Sequence, residues 1–392
     1  MRKFVVSATS FLLFSFGLYA QTSKEILMSV ENNNVQLKTL KKEAEAKKVA
    51  NRDGLTLDDP ELSVKQLFGT AGGAGNETEL GLSQSFDFAT LSGAKKKLTV
   101  AADVVADVEY LVGRQAVLLE AKQTVVQLIS INAQLKLAEK KLQTTQMFNE
   151  SMQKRLEKGD ASIIEANQAA IQLIKIKTEK LLLENEKNTQ LAKLARLNGG
   201  LTINFDESEY ESVELPADFD SWFAGMESKL PQMQLVNAML EKSHAAVSQS
   251  KKQNWPSFSV GYTGVMSEGE QQHGATVGVS LPLWANRNSV KLAKAEQLVA
   301  ESKVADERLL VEANLRDLYQ KAQALGGASR EYRKVLEDTN VESVLKKAFD
   351  AKAMTVHEYV GELQVFYEMK QMALEAERDY QLALAELLSC EL

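Results

Sequence analysis

The chain is poor in the residues that most often carry chemistry. Its 392 residues include one cysteine, Cys390, which excludes an internal disulfide, and three widely separated histidines, His244, His273 and His357, which give no metal-ligand spacing. Beyond residue 20 no apolar run approaches the roughly 20 residues that a spanning helix needs, and the mean hydropathy of −0.23 excludes a polytopic helical membrane protein. Basic residues are in deficit, 46 against 53 acidic, so the net charge is −7 and the electrostatic footprint of a nucleic-acid binder is missing. A nucleophile elbow, a phosphate loop and a zinc-helix motif are also absent, and the eleven methionines are not clustered. Enzymatic activity, a cofactor and a metal site are therefore not expected. What remains, 44% hydrophobic and 25% charged residues with only five prolines, excludes a disordered or collagen-like chain and leaves room for long uninterrupted helices.

The first segment reads as a targeting signal. Arg2 and Lys3 precede an apolar run from Phe4 to Phe16, and a small residue, Ala20, stands where a signal peptidase would cut. A membrane anchor is the alternative, but the run is too short to span. Residues 1–20 are thus expected to be a secretory signal, and without Arg2 and Lys3 the net charge becomes −9.

The remainder is an internal duplication. Leu156–Glu165 (LEKGDASIIE) aligns with Phe349–Glu358 (FDAKAMTVHE), the second copy starting 193 positions on. Pro60–Val64 likewise aligns with Pro256–Val260, and Leu80–Ser83 with Val277–Ser280. Each half reads helix, β-hairpin, very long helix, break, long helix. The expected boundaries are 21–204 for the first repeat, with its hairpin at about 60–88, and 229–392 for the second, with its hairpin at about 256–284. Between them lies an acidic segment, 205–228, containing Asp206, Glu207, Glu209, Glu211 and Asp218.

Amphipathic patterns without proline run from about Leu91 to Glu157 and from about Asn288 to Lys347, so coiled-coil packing is expected, with charges such as Glu139, Lys140 and Lys141 on a solvated face. The hairpins alternate between apolar and polar positions. Leu80, Leu82, Phe86 and Phe88 oppose Glu79, Gly81, Ser83, Ser85 and Asp87; Phe258, Val260 and Tyr262 oppose serines, glycine and threonine; Val277, Val279 and Leu281 oppose Thr276, Gly278 and Ser280. Strands of about 10 residues have the length that crosses an outer membrane. Glycine-rich polar segments, Gly69–Glu77 and Ser267–Gly274, are read as the hairpin loops. Four such strands cannot close a barrel, and open edges are not tolerated in lipid, so three copies supplying 12 strands are expected. The alternative is a periplasmic coiled-coil adaptor or scaffold whose hairpins form a small soluble β-domain.

The order of these elements resembles the TolC-like outer-membrane efflux proteins. The resemblance rests on the strand Trp255–Tyr262 (WPSFSVGY), on Val279–Trp284 (VSLPLW) leading into a long helix, and on the two helix-break motifs, and it covers nearly the whole mature chain. It implies a mainly α fold with membrane β-hairpins, in which a homotrimer builds a long α-helical barrel continued by a 12-stranded β-barrel. It further implies a passive exit duct of a tripartite efflux or type I secretion system, with a periplasmic adaptor and an inner-membrane transporter as partners and the bacterial outer membrane as location. By the resemblance, the helix breaks are the periplasmic tip where adaptors dock: Lys158, Gly159, Asp160, Ala161, Ser162 and Ile163 in the first half, and Lys352, Ala353, Met354, Thr355 and Val356 in the second, where Lys352 replaces the usual glycine. Glu358 and Glu165 are implied at the aperture. Both also stand three residues after Ser162 or Thr355, as capping-box partners would. Trp255 and Trp284 fit an aromatic girdle at the lipid boundary, and Lys95 to Lys97 fit solvent or lipid head groups.

Overall fold

A computed structural model describes residues 22–69, 75–267, 269–284, 286–337 and 341–392. The expected signal at 1–20 lies outside the described residues, as does the middle of the first hairpin loop. Helices α1 (Ser23–Asn33) and α2 (Val35–Asn51) precede strands β1 (Glu61–Leu67) and β2 (Glu77–Phe86). The short α3 (Phe88–Leu91) leads into α4 (Ala94–Glu157) and, after a break, α5 (Ile163–Leu197). The second half repeats the order with α6 (Phe219–Met226), α7 (Pro231–Gln253), β3 (Ser257–Ser267), β4 (Glu270–Ser280), α8 (Ser289–Glu337), α9 (Val341–Asp350) and α10 (Val356–Leu387). The helix expected over 288–347 is thus described as two elements flanking residues 338–340, which lie outside the described residues. At ~1.5 Å per residue the 64-residue α4 extends roughly 95 Å.

The chain divides into two compact units. One comprises Met1–Asn33, Ala121–Ser212 and Ala328–Gln381; the other comprises Asn34–Glu120, Val213–Gly327 and Leu382–Leu392. The first unit is helical among its described residues. Its helix α5 ends in a Schellman turn, with Gly200 N–H donating to Ala195 O at 2.8 Å and Gly199 N–H to Arg196 O at 3.2 Å. Gly199 has φ +68°, and a Cβ there would stand 2.5 Å from the carbonyl oxygen of Asn33, so the position admits only glycine.

The second unit holds the sheet. Its strands lie in the order β1-β2-β3-β4, all antiparallel, so the β2–β3 pairing joins the two hairpins across nearly 200 residues of sequence. The expected second loop is shorter than its composition implies. Glu270 to His273 continue β4, opposite Ser267 to Gly264, and Gly269 at φ +94° turns the chain.

The acidic segment 205–228 is more than a link. Phe205 is completely buried in the helical unit, where Asn132 Nδ2 donates to Glu207 O at 2.8 Å. In the sheet-bearing unit Phe219 and Phe223 pack with Leu230, Met233, Leu315 and Leu387 into a core. Its charges hold that core in place: Asp218 caps α6, Arg316 pairs with Asp220 at 2.7 Å while lying over the Phe219 ring, and Arg308 pairs with Glu227 at 2.6 Å. Phe219→Ala is expected to cost about 3–5 kcal/mol and to lower the thermal midpoint followed by circular dichroism, whereas Glu211→Ala, on an exposed side chain, leaves it unchanged.

Candidate functional site

Two features concentrate the expected site residues, the faces of the sheet and the two helix breaks. The strand register places Leu62 opposite Leu82, Val64 opposite Leu80, Phe86 opposite Phe258, Leu82 opposite Tyr262, Val260 opposite Val277 and Phe258 opposite Val279. Side chains alternate across a strand, so these residues share one apolar face. It is bare: Leu62 and Val277 are each 73% exposed, Val64 67% and Leu82 53%. The opposite face carries Ser63, Gly81, Ser83, Ser259, Gly261, Thr263, Thr276 and Gly278, joined by a hydrogen bond between the Thr263 and Thr276 hydroxyls at 3.1 Å. Apolar on one side and small and polar on the other is the division found in a membrane barrel wall.

Two expected members of the apolar face are displaced. Phe88 lies beyond β2, because the Asp87 carboxylate accepts from Thr90 N–H and starts α3 there. Its ring stacks on Trp255, with centroids 4.5 Å apart and planes at 12°. Leu281 lies past the end of β4, just before Pro282, which has no N–H to donate to a ladder; it is exposed at the margin of the sheet. Gln84 interrupts the face by turning its amide back to Asp58 O at 2.7 Å. Lys95 is not free for solvent or lipid, since it pairs with Asp87 at 3.0 Å.

The two helix breaks repeat one another atom for atom. In the first, Gly159 N–H donates to Leu156 O at 3.0 Å and Asp160 N–H to Arg155 O at 2.8 Å; in the second, Lys352 N–H donates to Phe349 O at 3.0 Å and Ala353 N–H to Ala348 O at 2.9 Å. Each is a Schellman turn with its next-to-last residue in the left-handed region, Gly159 at φ +76° and Lys352 at φ +59°. A capping box follows each turn. Ser162 Oγ accepts from Glu165 N–H at 3.2 Å while the carboxylate accepts from Ser162 N–H at 2.7 Å; Thr355 and Glu358 match these contacts at 3.2 and 2.7 Å. Both carboxylates are held below the ordinary glutamate range, first by these backbone N–H groups and then by the hydroxyls. The caps are therefore complete above the ordinary range and are lost only as the pH falls through the lowered folded value.

Around the turns, Lys158, Gly159, Asp160, Ser162, Ile163, Lys352, Ala353 and Thr355 are exposed, and Ala161 is half-buried. Val356 is not available on the surface: it is buried with Met152 and Ala169, against Phe148 and Phe349. Met354 also packs inward, beside the cluster of Tyr359, Leu363 and Tyr367. A trio of rings, Phe148, Phe349 and Tyr359, with centroids 4.8 to 5.9 Å apart, fixes the second turn against α4. The sequence signal for this trio was limited to Phe349 and Tyr359 flanking the motif.

Farther along α4 the charges expected on a solvated face are paired between helices. Lys141 is buried, bonded to Glu179 at 2.8 Å; Glu139 pairs with Lys180; Lys140 pairs with Glu342, which also accepts from the Tyr367 hydroxyl at 2.7 Å. Their partners lie 38 to 202 residues away, outside the reach of a local pattern.

No protein-family model and no curated protein sequence matches the chain. Among solved structures the chain is similar to CusC, in work on its folding and transmembrane channel formation, at a TM-score of 0.76 and 16% identity over 96% of this chain and 95% of that one. It is similar to the outer-membrane channel OprN, TM-score 0.76 and 14% identity over 94% and 89%, and to the Campylobacter jejuni CmeC outer membrane channel, TM-score 0.67 and 15% identity over 100% and 93%. The chain has the fold of these outer-membrane channels, the fold to which the sequence resemblance pointed.

Because a lysine occupies the left-handed position that glycine fills in the first half, Lys352→Gly is expected to raise the thermal midpoint by the equivalent of about 1 kcal/mol, and Gly159→Ala to lower it by a similar amount. Differential scanning calorimetry of the purified protein checks both signs.

Proposed function

We propose that three copies of this chain form an outer-membrane channel that is the passive exit duct of a tripartite efflux or type I secretion system. The observation that carries the reading is the sheet: a bare apolar face, a small polar face, and two edge strands, β1 and β4, with no outer neighbour among the described residues. In a bilayer every strand edge must be paired, so the sheet has to join others, and three sheets of four strands close a barrel of the expected 12. The polar faces then line the lumen. A soluble β-domain in a periplasmic adaptor would have its apolar face covered by helices, and the exposure of Leu62, Val64 and Val277 argues against it.

The helices support self-association. On α5, Ile164, Ile171, Ile174 and Leu181 are exposed at the seven- and three-residue spacings of a heptad seam, and on α8, Leu298, Val299, Leu309 and Leu310 are exposed as well. Neighbouring copies are the proposed cover. The adaptor docks at the two turns, where Lys158, Asp160, Ile163 and Ala353 are accessible, and an inner-membrane transporter completes the assembly. Glu358, repeated three times about the axis, adds a ring of carboxylates at the aperture besides capping α10.

The purified protein is expected to run as a detergent-resistant trimer, to fractionate with the outer membrane and to conduct ions in planar bilayers; a soluble monomer would rule the reading out. Leu82→Arg is a sharper probe: on a solvated face it is neutral, whereas on a lipid face it should cost about 2–4 kcal/mol and reduce trimer insertion. For the aperture, Glu358→Gln should reduce cation selectivity measured as a reversal potential. In the wild type that selectivity should persist somewhat below the ordinary carboxylate range, because the carboxylate is held low by Thr355. Unchanged reversal potentials in the variant would leave Glu358 a cap alone.

A further inference from the structure

We infer that the helix ends bordering the sheet form a cationic belt that binds the head groups of anionic phospholipids. This rests on the membrane reading of the sheet. At three crossings between strand and helix, apolar or aromatic side chains next to the strand give way to cations on the helix. From β4 the chain passes exposed Leu281, Leu283 and Trp284, then exposed Arg287 and Lys291. From β2 it passes Phe88 and exposed Leu91, then exposed Lys96 and Lys97; into β3 it passes exposed Lys251, then Trp255.

These crossings meet in space at one end of the sheet. Phe88 stacks on Trp255, Asn286 Nδ2 donates to Gln253 O at 3.1 Å, and Thr99 Oγ1 donates to Asn51 O at 2.8 Å. Apolar and aromatic side chains followed by cations match a leaflet read outward, from acyl chains and the glycerol region to the phosphates.

Protein-internal roles do not account for the cations. Lys95 is tied to Asp87, but the side chains of Lys96, Lys97, Lys251, Arg287 and Lys291 have no carboxylate partner among the described residues. Lys251, in the last turn of α7, suits the dipole of that helix. Lys96 and Lys97 in the first turn of α4 and Lys291 in the first turn of α8 oppose theirs, and neither first turn contains an acidic residue. Exposed Asp53, Asp58 and Asp59 share this region on the α2–β1 connection, so the positive excess is confined to the ends of α4, α7 and α8. Helix stability alone would select against three of these five cations; a phosphate-rich surface selects for them.

The test uses the full-length protein refolded into two sets of vesicles, phosphatidylcholine alone and phosphatidylcholine with about 30 mol % phosphatidylglycerol, with insertion read by flotation and protease protection. Wild type should insert into both, with at least about tenfold higher yield or rate in the anionic vesicles at low salt, and the preference should collapse at high salt. The variant K96Q/K97Q/K251Q/R287Q should insert into neutral vesicles like wild type and lose the preference, while K96R/K97R/K251R keeps it. Equal wild-type insertion into both vesicle types, or a preference that survives in the glutamine variant or at high salt, overturns the belt and leaves the channel reading standing. Absence of insertion into either type overturns the channel reading and the belt with it. Should the glutamine variant not fold, the salt dependence of the wild type decides alone.

Discussion

Backbone hydrogen bonding is the constraint from which the rest of this structure follows. A strand in lipid has no water to satisfy its N–H and C=O groups, so a four-stranded sheet with two free edges cannot stand alone there. The β2–β3 pairing solves part of the problem within one chain by joining hairpins from both repeats. In the proposed barrel the remaining edges, on β1 and β4, would be paired with those of neighbouring copies. In the proposed trimer, duplication and oligomerisation answer one physical demand at two levels.

The helices answer a different demand. Their backbone groups are satisfied internally, so length is limited only by helix breakers and by the need to cover apolar seams. A proline-free run lets α4 continue for 64 residues. Its own cohesion comes from distant partners: the Lys141–Glu179 and Lys140–Glu342 pairs stitch it to α5 and α9. A buried lysine paired in this way is poor evidence for stability, but it fixes which helices neighbour one another, since removing one partner strands a charge.

Features encoded by neighbouring residues were legible in the sequence, and features encoded by distant ones were not. The alternation Leu80, Leu82, Phe86 revealed the strand because its period is two, and Ser162–Glu165 and Thr355–Glu358 revealed helix starts because a capping box is three residues long. The same locality misled at the strand ends. Phe88 and Leu281 keep the alternation going, although an N-cap and a following proline end the strands before them. Gln271, Gln272 and His273 look like loop, yet they pair, because the ladder is made by backbone groups whatever the side chains. The burial of Phe205 and Phe219 inside an acidic segment, and the trio of Phe148, Phe349 and Tyr359, depend on contacts that no local pattern contains.

The near identity of the two turns has a consequence for symmetry. A threefold assembly of a chain that repeats its own turn displays six turns of one backbone shape, so a partner meeting them encounters an approximate hexagon. The side chains break that hexagon: glycine at 159 alternates with lysine at 352, and every second corner bears a positive charge on a left-handed residue. In the proposed trimer the rim is sixfold in shape and threefold in charge and in strain. A ring of six identical adaptor hairpins would therefore sit on two classes of corner, with one affinity at the glycine corners and another at the lysine corners.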